Sequence, residues 1–271
     1  MLEVALAFLA GLLIGSFLNV CVYRLPRDLS VVRPRSYCPQ CEKPVAWYDN
    51  IPVASYLILG GRCRHCKAKI PLRYLLVELA TGAAFAICVL GLGLTLAALK
   101  YAIFSAILIM LLATDFEERI LPDEFTLGGA AIGIVFAAVA PIESGIVTFL
   151  LSGALGLRMA SVAEALVSAW VAGGAIWLVG WLYEKIRHRE GMGFGDVKMI
   201  AMIGAFLGFQ ETLLTLILAS VLGSVGGVAY VLITKKDMST YELPFGSFIG
   251  LAGLVVALWG HVIRVWYSGG A

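Results

Sequence analysis

Charge is scarce in this chain. Of 271 residues, 14% are Asp, Glu, Lys or Arg and 61% are hydrophobic. A soluble domain carries roughly 25% charged residues. The apolar excess is too large for one water-soluble core, so the chain reads as dissolved in a bilayer. Histidine is scarcer still. His65, His188 and His261 are scattered and no His-Glu-x-x-His occurs, which excludes a zincin. No Gly-x-Ser-x-Gly elbow occurs either, which removes the serine-hydrolase pattern. Gly191-x-Gly193-x-Gly195 lacks the Gly-Lys-Ser/Thr ending and a preceding strand, so it is not a phosphate loop. The net charge of +2 makes no case for a nucleic-acid partner, and none is expected. The first apolar run has no basic flank or small-residue cleavage site, and Glu3 precedes it, so it is expected to stay as a span.

Apolar runs near the roughly 20 residues a span needs are plentiful. They lie at about Val4–Tyr23, Tyr74–Leu92, Leu96–Thr114, Thr126–Pro141, Glu164–Tyr183, Val197–Phe209, Thr212–Thr234 and Gly246–Trp266. The expected fold is an all-α polytopic membrane protein with about eight transmembrane helices. The fourth and sixth runs are short and call for tilt or local thinning. Glycines at Gly128, Gly129 and Gly133, at Gly173 and Gly174, and at Gly223, Gly226 and Gly227 permit close helix packing. Lys100 is expected to snorkel outward.

Positive charge sets the orientation. Arg24–Arg73 carries ten Lys or Arg against Asp28, Glu42 and Asp49, so it belongs in the cytoplasm. The N-terminus is then outside. The loops Asp115–Glu124, Glu184–Asp196 and Lys235–Glu242 fall inside, and two of them are basic (Lys185, Arg187 and Arg189; Lys235 and Lys236). Ile142–Ala163 is apolar in places but broken by Ser152, Gly153, Gly156 and Arg158, and reads as an outer-surface or re-entrant segment. The chain divides into a first helix (1–23), a cytoplasmic loop (24–73) and a membrane core (74–271).

Two C-x-x-C pairs, Cys38/Cys41 and Cys63/Cys66, lie in the basic loop. Four thiolates at this spacing suit a tetrahedral structural Zn²⁺, as in a zinc ribbon. Disulfides are the alternative, disfavoured in a reducing compartment. A redox C-x-x-C is the other. His65 sits inside a knuckle and is read as solvent-facing. Cys21 and Cys88 fall in spans as small core residues.

Two acids stand at helix ends on the cytoplasmic face by the crossing count. Asp115 ends the third span and Asp196 begins the sixth, flanked by Gly193 and Gly195. A charge within a span is costly and marks a functional candidate. The plainer reading is an acid that only marks a helix end. Two carboxylates brought together share a proton, so one can activate water while the other protonates the scissile amide. Glycines beside one of them let backbone approach closely. A zinc-stabilised scaffold and a transporter are the rival readings. Glu117, Glu118, Asp123 and Glu124 beside Asp115 would attract a basic peptide, or else only solvate their loop. Glu78, a turn into the second span, is read first as interfacial.

Together these residues resemble the bacterial type IV prepilin peptidases. Gly15-Ser-Phe-Leu-Asn-Val20 with Arg24-Leu-Pro26 is similar to the family's first-span signature. Cys38-x-x-Cys41, Pro52-x-x-Ser55-Tyr-Leu57, Gly60-Gly-Arg-Cys-Arg-x-Cys66 and Arg73-Tyr-Leu-Leu-Val-Glu-Leu79 resemble its cytoplasmic loop and second span. Asp115 with Leu121-Pro-Asp123, Gly193-Phe-Gly-Asp-Val-Lys198, and Pro244-Phe-Gly-Ser247 resemble its remaining motifs. Presenilin-like and archaeal preflagellin peptidases share the Gly-x-Gly-Asp segment but lack the cysteine loop. Ile142–Ala163 departs from the pattern. The resemblance implies a bifunctional enzyme of the bacterial inner membrane. It would cleave basic leaders from prepilins and pseudopilins of type IV pili and type II secretion, after Gly and usually before Phe. It would then methylate the new N-terminus with S-adenosylmethionine. It implies Asp115 and Asp196 as catalytic residues, Gly193, Gly195 and Lys198 as their support, and Cys38, Cys41, Cys63 and Cys66 as zinc ligands. It assigns no residues to the methyl donor.

Overall fold

The computed structural model describes residues 1–188, 193–234 and 245–267. Arg189, Gly191, Lys235, Lys236 and Pro244 of the expected loops and motifs lie outside the described residues, as does the side chain of His261. Helices dominate, and the described residues contain no strand longer than an isolated bridge. The chain falls into two compact units, Met1–Glu118 and Arg119–Ala271.

Unit 1 contains α1 (Leu2–Arg24), the short α2 (Ala54–Ile58), α3 (Arg73–Leu92) and α4 (Leu96–Glu118). Helices α1 and α3 make the closest pair. A Cβ at Gly11 would stand 2.7 Å from the Thr81 carbonyl oxygen, and one at Gly15 would stand 2.7 Å from the Glu78 Cα. Small residues four apart thus let the two backbones touch, which replaces the hydrophobic drive that lipid cannot supply. Helix α4 has Phe104, Leu108, Met110 and Leu111 fully buried. Lys100 on α4 does not snorkel. It is 2% exposed, with its ammonium 5.7 Å from the Tyr101 ring centre. The face on which it falls points into protein, which periodicity alone did not reveal.

Unit 2 contains α5 (Asp123–Val139), α6 (Ile146–Leu155), α7 (Leu157–Arg187), α8 (Phe194–Leu207), α9 (Phe209–Thr234) and α10 (Phe245–Tyr267). Every one of the eight expected apolar runs is a helix. Among the described residues, five helices are long and apolar enough to cross a membrane: α1, α3, α4, α7 and α9. The two expected short runs are short: α5 has 17 residues and α8 has 14. At 1.5 Å per residue, α8 covers about 21 Å of a roughly 30 Å hydrocarbon core. It tolerates this because α5, α7, α9 and α10 pack around it. Its Met199, Ile200, Met202, Ile203 and Phe206 are buried.

The ambiguous segment 142–163 resolves into α6 and the first turns of α7, joined at Gly156 with φ +76°. Ten residues reach about 15 Å, too short to cross. Helix α7 therefore starts two turns before the expected Glu164. That shift buries Glu164 completely. Its Oε2 accepts from the backbone N–H of Val147 (2.7 Å) and Thr148 (3.2 Å) in the first turn of α6. Its Oε1 accepts from Phe209 N–H (2.9 Å) at the start of α9 and from the Ser168 hydroxyl (3.0 Å). One carboxylate thus caps two helix N-termini, where orphan N–H groups and the helix dipole favour an anion. A Cβ at Gly145 would stand 2.3 Å from this carboxyl group, so a larger residue there would push the carboxylate off the helix ends it caps. Of the glycines expected at close contacts, Gly133 faces Phe206, Gly173 faces Ala201 and Gly226 faces Phe248, whereas Gly128 and Gly174 face open space.

Candidate functional site

The cysteine loop folds as two copies of one local turn. In the first, Cys38 N–H donates to the Lys43 carbonyl (3.0 Å) and Glu42 N–H to the Cys38 carbonyl (2.8 Å). In the second, Cys63 N–H donates to Ala68 (2.8 Å) and Lys67 N–H to Cys63 (3.0 Å). The residue after each second cysteine is left-handed: Glu42 at φ 57° and Lys67 at φ 61°. Each turn is closed by one antiparallel bridge, Tyr37 with Pro44 and Arg62 with Lys69. The two turns bring all four sulfurs within 4.8 Å of one another. Cys38 Sγ and Cys66 Sγ are 3.7 Å apart. A tetrahedron with metal–sulfur bonds of about 2.3 Å has edges of about 3.8 Å, so the quartet has the dimensions of a metal site and its chemistry suits Zn²⁺. Backbone N–H groups of Cys66 and His65 face the Cys63 sulfur and lower its thiol to about 6. That favours the thiolate a metal requires.

The loop is tied back to the helices. Arg24, buried at the end of α1, donates to the carbonyls of Ser30 (2.8 Å) and Pro34 (2.8 Å). Glu78 on α3 accepts from Val53 N–H (2.7 Å) and thereby holds a residue at φ 61°. Glu78 is therefore a buried anchor of the loop, not an interfacial charge. Arg64 donates to both oxygens of Asp49 (2.8 and 2.6 Å), which holds the Asp49 carboxyl below the usual carboxylate range. These segments enclose a cavity of about 480 Å³ beside the sulfur cluster. Asn19, Tyr37, Cys38, Arg73, Glu78 and Glu117 are among its walls.

Asp115 lies in the last turns of α4, 6% exposed. The next two acids are engaged within unit 1. Glu117 pairs with Arg73, and Glu118 with Arg27 at 2.6 Å. Neither is the free acidic lure for a basic peptide that the sequence offered. Both instead bolt the ends of the cysteine loop to the helix that carries Asp115.

Asp196 lies in the first turn of α8, 9% exposed. Around it two motif segments meet inside unit 2. Lys198 pairs with Asp123 in the first turn of α5, its ammonium 5.1 Å from the Phe194 ring centre. A Cβ at Gly195 would lie 3.1 Å from the Leu121 Cβ, so its missing side chain makes room for that residue. Gly193 is the N-cap of α8 with ordinary φ −65°. Sequence reasoning did not find Arg24, Asn19 or Glu164 as organising residues. Apart from the Ser168 hydroxyl on Glu164, their partners are backbone groups that carry no sequence signature.

A polytopic chain with a four-thiol knuckle pair and one buried aspartate at a helix end in each unit defines a class of membrane protein. Comparison with known proteins makes the class specific. The family described as the bacterial peptidase A24 N-terminal domain matches residues 9–92, and the type IV leader peptidase family matches residues 102–228. The prepilin leader peptidase/N-methyltransferase of Aeromonas hydrophila is 33% identical over 291 residues, covering 97% of this chain and 93% of the relative. That of Pseudomonas aeruginosa is 33% identical over 282 residues, covering 96% and 91%. That of Myxococcus xanthus is 37% identical over 244 residues, covering 89% and 68%. No solved structure is a significant match. The chain belongs to the type IV leader peptidase family.

Proposed function

We propose that this chain removes the basic leader from type IV prepilins and type II secretion pseudopilins, after Gly and before Phe, and then methylates the new N-terminus with S-adenosylmethionine. The observation that carries this reading is the near-full-length similarity to leader peptidases, in which both aspartates fall on the matched segments. Each aspartate is also the buried acid at one end of a densely packed helix in its own unit.

The proposed chemistry uses Asp115 and Asp196 as its two catalytic acids. Asp196 lies in the first turn of its helix, where the dipole favours negative charge, and Asp115 lies in a last turn, where it does not. We therefore assign Asp196 to draw a proton from water and Asp115 to protonate the scissile amide. Water oxygen bonds to the glycine carbonyl carbon, the C–N bond breaks, and the amine leaves protonated. Gly193, Gly195 and Lys198 support the site by seating the Leu121-Pro-Asp123 segment against the start of α8. The four cysteines hold a structural Zn²⁺ that folds the loop and takes no part in the hydrolysis. The loop and both aspartates face the cytoplasm of an inner membrane and the N-terminus faces out, which the distribution of Lys and Arg supports. The substrate's apolar helix then arrives laterally through the bilayer.

The test is leader removal from a prepilin by purified wild type, Asp115→Asn and Asp196→Asn, with folding checked by zinc content. Loss of cleavage by at least about 10³-fold in each variant is expected for members of a catalytic unit. Cleavage at the wild-type rate in either removes that residue from the mechanism.

A further inference from the structure

The apolar surface of the cysteine loop is gathered in one place. Five of the twelve residues from Trp47 to Ile58 are large hydrophobics left exposed: Trp47 (73%), Tyr48, Ile51, Leu57 (65%) and Ile58 (79%). The knuckles themselves, residues 38–44 and 61–69, expose none. Helix α2 is inside out compared with a helix in water. Its Ser55 and Tyr56 turn inward, where Ser55 donates to the Ile51 carbonyl (2.6 Å) and Tyr56 to the Ile70 carbonyl (3.3 Å). Ala54, Leu57 and Ile58, at i, i+3 and i+4, form the outer face. A helix of five residues does not hold itself in water, so α2 depends on what its faces meet. The segment is also placed low. Helix α3 has 20 residues, about 30 Å, which matches a hydrocarbon core of roughly 30 Å. Glu78 lies about 7.5 Å along it from its first residue, Arg73. The Glu78 side chain leans back toward that end and accepts from Val53 N–H at 2.7 Å. Val53, the residue before α2, therefore stands about one turn inside the span and not above it.

We propose that the segment Trp47–Ile58 is a membrane foot: it inserts among the lipid chains of the leaflet at the start of α3, and the metal knuckles stand on it at the bilayer surface. The inference needs only the span of α3 and holds whatever chemistry the chain performs. An exposed apolar patch marks a protein or a membrane contact, and three features choose the membrane. The first is depth, because lipid surrounds a span at the level where Glu78 holds Val53. Leu72 and Leu76 are exposed at that same end of α3. The second is composition. Trp and Tyr belong at the border between headgroups and chains, with aliphatic residues below them. Trp47 and Tyr48 pack edge to face at 5.7 Å, and the Ser55 hydroxyl, 3.2 Å from the Tyr48 carbonyl, keeps that turn beside α2. The third is charge. Arg62, Lys67 and Lys69 are exposed on the second knuckle and suit the anionic headgroups around such a foot. The foot is joined rigidly to that knuckle: Gly61 N–H donates to the Tyr56 carbonyl (2.9 Å), and Ile70 N–H to the Gly61 carbonyl (2.7 Å). Insertion therefore sets the height of Cys63 and Cys66 above the bilayer.

The test uses the full chain, with zinc content verified, in vesicles of phosphatidylethanolamine and phosphatidylglycerol. A benzophenone amino acid is placed in turn at Leu57, at Ile58 and, as a control in water, at Lys67, and the photoadducts are identified by mass spectrometry. Lipid adducts at Leu57 and Ile58 should exceed those at Lys67 by at least about fivefold, as an apolar face buried roughly 5–10 Å requires. Independently, the fluorescence of Trp47 is isolated as the difference between wild type and Trp47→Phe. Lipids brominated on their chains should quench it. Lipid adducts at Leu57 and Ile58 no more frequent than at Lys67, together with an unquenched Trp47, overturn the proposal. Adducts at both positions mainly to residues 119–271 or to a second copy also overturn it, and make the patch a protein contact. The Trp47 measurement needs neither labelled position, so it decides the matter if a labelled chain loses zinc.

Discussion

Unit 1 buries Asn19, Arg24 and Glu78, and all three border a cavity under the cysteine loop. Unit 2 buries Glu164 as deeply, yet spends its two oxygens on three backbone N–H groups and a hydroxyl within the helical core. Both are polar groups in an apolar chain, and insertion cost alone would mark either as functional. The difference lies in how their hydrogen-bonding capacity is spent. Glu164 saturates itself on helix ends and holds the fold. The cavity residues of unit 1 leave Asn19 Oδ1 and Arg73 Nε unspent within the protein. An acid inside a span is therefore better judged by its partners than by its burial.

The largest effect that would break this comparison concerns the metal. Cys38→Ser with Cys63→Ser, or a strong chelator, should release zinc and unfold the loop, since a structural site contributes on the order of 10 kcal/mol. Limited proteolysis should then cut within residues 24–73 and leave unit 2 intact. Equal protection with and without metal would remove zinc from the folding of unit 1.

Next in size is Glu164→Ala. Uncapping two helices should cost about 2–4 kcal/mol, read as lower thermal stability in detergent. Leader cleavage per folded molecule should hold. A stable but inactive variant would move Glu164 from scaffold to mechanism and erase the contrast.

The Arg73–Glu117 pair is partly exposed, with side chains 12% and 35% accessible. A double-mutant cycle with Arg73→Ala and Glu117→Ala should give a coupling of about 1 kcal/mol or less in stability, because water screens the pair. A larger effect on cleavage than on stability would show that the loop positions the end of α4.

The smallest expected effect is at Asp49. Its carboxyl is held down by Arg64, so what it adds to loop stability is present above the ordinary Asp value of about 3.9. It is lost as pH falls through the lowered folded value. Asp49→Asn should remove that acid-side dependence and lower loop protection at neutral pH by the small amount that wild type loses in acid. An unchanged acid profile would mean that the pair is idle.

The sequence by itself determined the eight apolar helices, the two cysteine pairs and the acids at helix ends. These are local signals: run length against bilayer thickness, ligand spacing within one turn, and a charge at the edge of an apolar run. Even the shortness of α5 and α8 was legible. Tertiary structure alone decided the fate of the isolated polar residues. Lys100 is buried, Glu117 and Glu118 are paired with arginines, and Glu164 caps helices, because packing fixes which face of each helix meets protein. The partners are far apart in the chain: Glu164 and Phe209 by 45 residues, Arg27 and Glu118 by 91. Gly11 and Gly15 read as two glycines in an apolar run until α3 lies against them. A hydrogen bond to a backbone N–H has no side-chain signature at its other end, so no spacing rule could have announced it.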